Sequence, residues 1–258
     1  MKAAEIASVI EAMAPLCLQE SWDNSGFCIG NGECEVHKAL IGFDCTHALI
    51  AEAVEAGADM VITHHPLIFG GISKISMATD TGRTVIEAIR HGITVYACHT
   101  NMDKVVGGVS GHTASLMGLR NVRVLDSDAD GNGLGIIGEL PSPVGAEDFL
   151  KMMKSALGLS VVRHSELPDA PVSRVALCGG SGRSLIARAH EAGADVYVSA
   201  DIQYHDFYAP DGMMIADIGH FESESGIVDV IYDTVREKIP NFAVQIAEKS
   251  IVNPVYYF

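Results

Sequence analysis

HKALIGFDCTHALIAEAVEAGADMVITHH, residues 37–65, reads as strand, turn, helix, glycine stop and strand. It aligns without gaps on SRVALCGGSGRSLIARAHEAGADVYVSAD, residues 173–201. Leu-Ile-Ala at 49–51 matches 185–187, and Glu-Ala-Gly-Ala-Asp at 55–59 matches 191–195. Each copy opens on an apolar run, continues through an Ala-rich helical stretch and stops it at a glycine, the punctuation of a βαβ unit. EAGAD in the same register favours duplication over a chance match of two Ala-rich helices. The echo continues in HGITVYACHT and DGMMIADIGH, which place His99 and His220 at nearly matching points. The expected fold is α/β: two similar βαβ-containing lobes, residues 1–125 and 126–258, facing each other across a cleft and forming one compact unit.

Three strand-like runs stop abruptly at metal-ligand chemistry. VITHHPLIF ends at His64 and His65, VYACHTNMD leads to Asp103, and IADIGHFESE carries His220 and Glu224. Strand ends are where α/β sheets build their sites. Singly, each such residue is more often surface or core; together they point to a metal. Three imidazoles and two carboxylates without a thiolate suit Zn, Fe, Mn or Ni. Five ligands exceed what one catalytic zinc takes, and suit two divalent ions about 3.5–4 Å apart. Asp103 and Glu224 are the natural bridges, since a carboxylate has two oxygens to share. Neighbouring side chains on a strand point to opposite faces, so His64 and His65 converge only if the strand stops at Thr63, before Pro66. His220 and Glu224 share a face if a helix begins there.

Other chemical signals are weaker. The turn CGGSG holds Gly179, Gly180, Ser181 and Gly182, candidates for phosphate or substrate contact at a helix start, although any tight turn of this kind can require glycine. GGVSG at 107–111 is expected to open the helix that carries His112. His99 and His205 lie close in sequence to the ligand clusters and are candidate proton-transfer groups. The other histidines have no ligand partners in sequence. The only tryptophan, Trp22, precedes the turn-forming Asp23-Asn24; it either stacks on a ring-bearing ligand or anchors the N-terminal helix. DSDADGNG at 126–133 is a turn-rich loop without the flanking helices or final Glu of a calcium loop.

Composition bounds the rest. The 258 residues are 48% hydrophobic and 19% charged, an ordinary folded-protein balance. A net charge of −16 argues against nucleic acid as a partner. The six cysteines form no C-x-x-C pair and are expected to be reduced thiols. MKAAEIASVIEAMAPL reads as an amphipathic helix ended by Pro15, not as a leader, and no apolar run reaches bilayer length. The expected location is the cytoplasm, without membrane attachment. Residues 119–172 are expected to form a strand, a Pro-rich turn, a helix and another strand.

Several motifs in order make the chain resemble the NIF-three-like dinuclear metal proteins, also called GTP cyclohydrolase I type 2 homologues. They are WDNSG at 22–26, THHP at 63–66, HTNMD at 99–103, GG at 107–108, the GGSG turn, DIQYH at 201–205, GHFESE at 219–224 and NP near the C-terminus. The resemblance implies two similar lobes around a cleft holding two metals, with ligands at His64, His65, Asp103, His220 and Glu224. It also implies a homo-hexameric ring, and the short 119–172 stretch leaves no room for the inserted domain of longer members. Where the family usually has Gly-Asp, this chain has Ala200-Asp201. The expected activity is metal-dependent hydrolysis of a small, nucleotide-like molecule. The alternative is a non-catalytic protein that stores, delivers or senses metal, or that acts through a partner.

Overall fold

Apolar runs such as MVIT at 60–63 and VYVS at 196–199 have no polar alternation, as strands buried on both faces require. The structure, a computed structural model, describes Met1–Phe258 and bears this out. In chain order the elements begin with α1 (Ala3–Met13), β1 (Gly26–Ile29), β2 (Lys38–Asp44), α2 (His47–Ala56) and β3 (Met60–His65). Next come α3 (Asp80–Arg90), β4 (Thr94–Ala97), α4 (Thr100–Asp103), α5 (Val109–Leu116), β5 (Arg120–Ser127) and β6 (Gly133–Val144). Then follow α6 (Ala146–Leu157), β7 (Arg163–His164), β8 (Val172–Leu177), α7 (Ile186–Glu191) and β9 (Val196–Ser199). The chain closes with β10 (Met214–Asp217), α8 (His220–Glu224), α9 (Ile227–Lys238) and β11 (Ala243–Ile246). The fold is mixed α/β with two sheets. No helix is long and apolar enough to cross a membrane.

Two compact units result. The first takes residues 1–102 together with 227–254, and the second takes 103–226 with the last four residues. The chain thus leaves its first unit earlier than the 125/126 division read from the sequence, and returns to it with α9 and β11.

In the first unit the sheet order is β1-β4-β3-β2-β11, parallel except for β1. Leu40, Val61 and Val95 point to one face and pack with Leu49, Ile50 and Ala53 of α2 and Ala88 of α3. Thr46 caps α2 by accepting from the Leu49 N–H, and Gly57 ends it at φ +66°, a left-handed conformation that a side chain disfavours. Asp59 then accepts from the N–H groups of His37 and Lys38 at the start of β2, tying both ends of the crossover together.

In the second unit the order is β5-β6-β8-β9-β10-β7, with the parallel β8, β9 and β10 at its centre. Val196, Val198, Met214 and Ala216 face one core, with Phe149 and Met153 of α6. Tyr197 and Ile215, one residue out of phase, face the other, with Leu185 and Ala189. Asp195 accepts from the N–H groups of Ser173 and Arg174, the counterpart of what Asp59 does in the first unit.

Two local expectations change. The stretch read as a Pro-rich turn lies within β6, where Pro141 and Pro143 cannot donate to the ladder. The pairing with β8 shifts there between Glu139 and Val144. β3 does not stop at Thr63. It loses its β4 partner there, but stays paired to β2 as far as His65 opposite Asp44.

Candidate metal centre

In the first unit, the C-terminal end of β3 supplies His64 and His65, and the segment after β4 supplies His99. His64 is fully buried and His99 nearly so. One donor nitrogen from each of the three rings lies within 4.8 Å of the other two. Ring centroids are 4.9 Å apart for His64–His65 and 5.3 Å from each to His99. Each ring is held through Nδ1 by an acceptor. His64 meets the Cys98 carbonyl at 2.9 Å, His65 the Asp44 carboxylate at 2.7 Å and His99 the Asp23 carboxylate at 2.8 Å. A carbonyl or an ionised carboxylate can only accept, so Nδ1 donates and Nε2 keeps its lone pair. This is how ligating histidines are oriented in metal proteins. Phe43 stacks on His64 at 5.8 Å and leans on His65 at 4.7 Å, stiffening the pair.

Asp23 is the most heavily tied of the orienting groups. Besides His99 it accepts from the backbone and hydroxyl of Thr100, the Ser25 hydroxyl and the Asn24 N–H. Burial would raise its pKa, but the hydrogen bonds from His99 and Thr100 outweigh it and hold the carboxyl well below the usual carboxylate range.

In the second unit, His220 and Glu224 occupy one face of α8 four residues apart, as the sequence spacing requires. Their Nε2 and Oε2 atoms are 2.9 Å apart, and Asp201 holds His220 Nδ1 at 2.8 Å. The Glu224 carboxylate first, and Asp201 after it, push the imidazole up to about 9 against the effect of burial. Asp201 sits at φ +54°, a conformation Asp tolerates better than most residues. Asp103 ends α4 rather than a strand. Burial and the Asp103 and Glu224 charges push the Cys178 thiol up.

The glycine turn serves the same glutamate. Gly180 lies at φ +61°, and a Cβ there would run into Glu224 Oε1. Three of its N–H groups donate internally, from Gly179 to Ser110, from Gly180 to Ser223 and from Gly182 to Ser199. They are therefore not free to cradle an anion. Ser181 instead lines a surface cavity of about 650 Å³ with the exposed His205, Arg183 and Tyr208. Sequence reasoning missed Asp44 altogether and took Asp23 for a turn residue. Asp201 was visible, as the position opposite His65 in the repeat.

These groups fit a metal ion: buried imidazoles with fixed ring orientation, and a buried glutamate shielded from side-chain intrusion by glycine. The class that fold and site define is a mixed α/β protein whose buried His and Glu groups can hold metal. The profile of the Duf34/NIF3 (NGG1p interacting factor 3) family matches residues 1–254. A Clostridium perfringens protein named GTP cyclohydrolase 1 type 2 homolog is 33% identical, with 98% of each chain covered. One of the same name from Streptomyces coelicolor is 33% identical over 86% of this chain and 81% of its own. Among solved structures, Staphylococcus aureus protein SA1388 superposes with TM-score 0.91 at 28% identity, covering 100% of this chain and 99% of its own. A Bacillus cereus protein related to NIF3 shares the fold with TM-score 0.90 at 24% identity, covering 100% and 99%. The chain belongs to the Duf34/NIF3 family.

Proposed function

We propose that this protein is a dinuclear metal-dependent hydrolase of a small, nucleotide-like substrate, with His64, His65, Asp103, His220 and Glu224 as the metal ligands. The observation that carries the reading is the imidazole triad: three rings, each fixed through Nδ1, with donor nitrogens within 4.8 Å of one another. Divalent ions held there supply Lewis acidity and make water acidic enough to attack near neutral pH. The chain's own contribution is orientation. Asp44 and the Cys98 carbonyl fix His65 and His64, and Asp23 fixes His99, which holds or passes a proton at Nε2. Asp201 fixes His220. His205 and Ser181 contribute substrate contact or proton transfer from their shared cavity. The name carried by relatives, GTP cyclohydrolase 1 type 2 homolog, supports a nucleotide-like substrate without defining one.

We read the two halves as a duplication. Support comes from the gapless alignment of 37–65 on 173–201 and from Asp59 and Asp195, which make the same two backbone contacts in their respective units. A homo-hexamer, on the family resemblance, and a cytoplasmic location, on the scattered cysteines, complete the reading.

The test is metal content per chain on protein purified without chelator or nickel resin, beside a His64→Ala, Glu224→Ala double variant. About two metals per chain, largely lost in the variant, is the expected result. Metal that transfers to an acceptor, with no turnover across a nucleotide panel, replaces the hydrolase by a metal carrier. Little metal in both proteins after reconstitution with Zn, Mn and Fe overturns the dinuclear reading.

A further inference from the structure

We propose that Trp22 and Phe69 form the aromatic walls of a subsite for a planar heteroaromatic ring, set against the imidazole triad. This deepens the hydrolase reading and rests on it for the nucleotide-like character of the ligand.

Trp22, the only tryptophan, is 60% exposed, and Phe69 is 52% exposed. A tryptophan anchoring the N-terminal helix would be covered. Large aromatic rings are the side chains that gain most from burial, and a fold that leaves two of them out beside one site has surface to offer there. They are not scattered. The Trp22 ring lies 5.9 Å from the His99 ring at 72°, and the Phe69 ring 5.4 Å from it at 87°. Phe69 also reaches His65, at 6.3 Å. Both walls therefore touch the same imidazole, each standing near a right angle to its plane.

The backbone under both walls is tied down. Asn24 Nδ2 donates to the Ile68 carbonyl at 2.7 Å, joining the Trp22 turn to the segment that presents Phe69. Asp23, between Trp22 and Asn24, carries the His99 hydrogen bond and accepts from Thr100. Preorganised walls lose little freedom when a ligand arrives. The chemistry of the walls selects the occupant. An aromatic face stacks on any π-system of the ligand, tolerantly of ring identity. A ring resting on either wall meets the imidazole edges of His99 and His65 directly, which places a nucleobase-sized plane beside the metal-competent nitrogens.

The single tryptophan makes the test direct. Trp22 fluorescence of the full chain is titrated with GMP, AMP, CMP and, as a ring-free control, ribose 5-phosphate, with metal content measured on every sample. The expected result is saturable quenching by the base-bearing ligands and none by ribose 5-phosphate. Phe69→Ala should weaken binding roughly tenfold and Phe69→Tyr should preserve it. Trp22→Ala, followed calorimetrically, should lose a similar factor. All three variants lie on the surface and are expected to keep wild-type circular dichroism and metal content. Three outcomes overturn the subsite: no quenching by any base, equal quenching by ribose 5-phosphate, or unchanged affinity in Phe69→Ala. Quenching that follows protein concentration in the absence of ligand also overturns it, because a second copy of the chain then covers Trp22. Ring binding without metal would leave the subsite standing and defeat the hydrolase reading, so the two failures are separable.

Discussion

Asp23 Oδ1 accepts from His99 Nδ1 at 2.8 Å, while its second oxygen accepts from Thr100 and Ser25, so one buried carboxylate fixes both an imidazole and the start of α4. Asp23→Asn keeps the shape but offers an amide where His99 needs an acceptor. Proton transfer at His99 is then misaligned, so metal-dependent turnover should fall about 10–100-fold with metal content kept, and stability by about 1–3 kcal/mol. Assays across a nucleotide panel beside metal analysis, and urea unfolding, measure the two. Unchanged turnover would show that His99 needs no orientation by Asp23.

Gly180 and Gly158 form a controlled pair. Both adopt left-handed backbone, at φ +61° and +65°, but only at Gly180 would a Cβ meet Glu224 Oε1. Alanine at either position should cost about 1–2 kcal/mol through backbone conformation. Gly180→Ala should in addition displace Glu224 and lower metal content, whereas Gly158→Ala should leave it intact. Equal metal in both variants would deny the turn its role.

Glu52, buried on α2, accepts from the backbone N–H groups of Glu248, Lys249 and Ser250 and from the Ser250 hydroxyl. Burial raises its pKa, but the Ser250 hydroxyl and the three N–H groups outweigh that and leave it lowered. Near pH 4 the unfolded state therefore binds more protons at this group than the native state does. Its contribution is complete above about pH 4.3 and is lost as pH falls through the lower native value. Glu52→Ala should cost about 2–4 kcal/mol at pH 7, and the gap to wild type should narrow in acid. A gap constant down to pH 3 would contradict this.

Thiol reactivity should separate the cysteines. The Thr94 hydroxyl holds the Cys34 thiol below its usual value, whereas burial, then Cys28 and Asp44, push Cys45 up to about 12. Burial likewise raises Cys178. Only the thiolate reacts, so iodoacetamide at pH 8 should modify Cys34 early and Cys45 and Cys178 only after unfolding. Peptide mass spectrometry of timed samples decides it. Early labelling of Cys178 would mean that its surroundings open to solvent.

What the sequence disclosed and what it hid divide along the range of the interaction. The His220–Glu224 spacing and the Gly57 and Gly193 stops are local, and α8, α2 and α7 follow from them. The candidate ligands of the first unit were legible because β3 ends where its chemistry changes. Asp44 was not, because it faces His65 only once β2 and β3 pair in a particular register. The β6 prolines misled for a related reason: they signal a turn locally, and only the bulged pairing with β8 absorbs them into a strand. The return of α9 and β11 to the first unit has no local signature, since periodicity says what an element is and not where it packs.

That return sets an order of events on the ribosome. β2 emerges early, yet its parallel partner β11 follows the strands of the second unit in the chain. Residues 103–226 of the second unit are synthesised before the first unit's sheet can be completed, so a strictly N-terminal-first order leaves that sheet without its edge strand. A translation product that stops short of Ala243 carries β2 as an open edge, a template for pairing with another chain. Whether a copy covers its β2 edge itself therefore turns on residues 243–246.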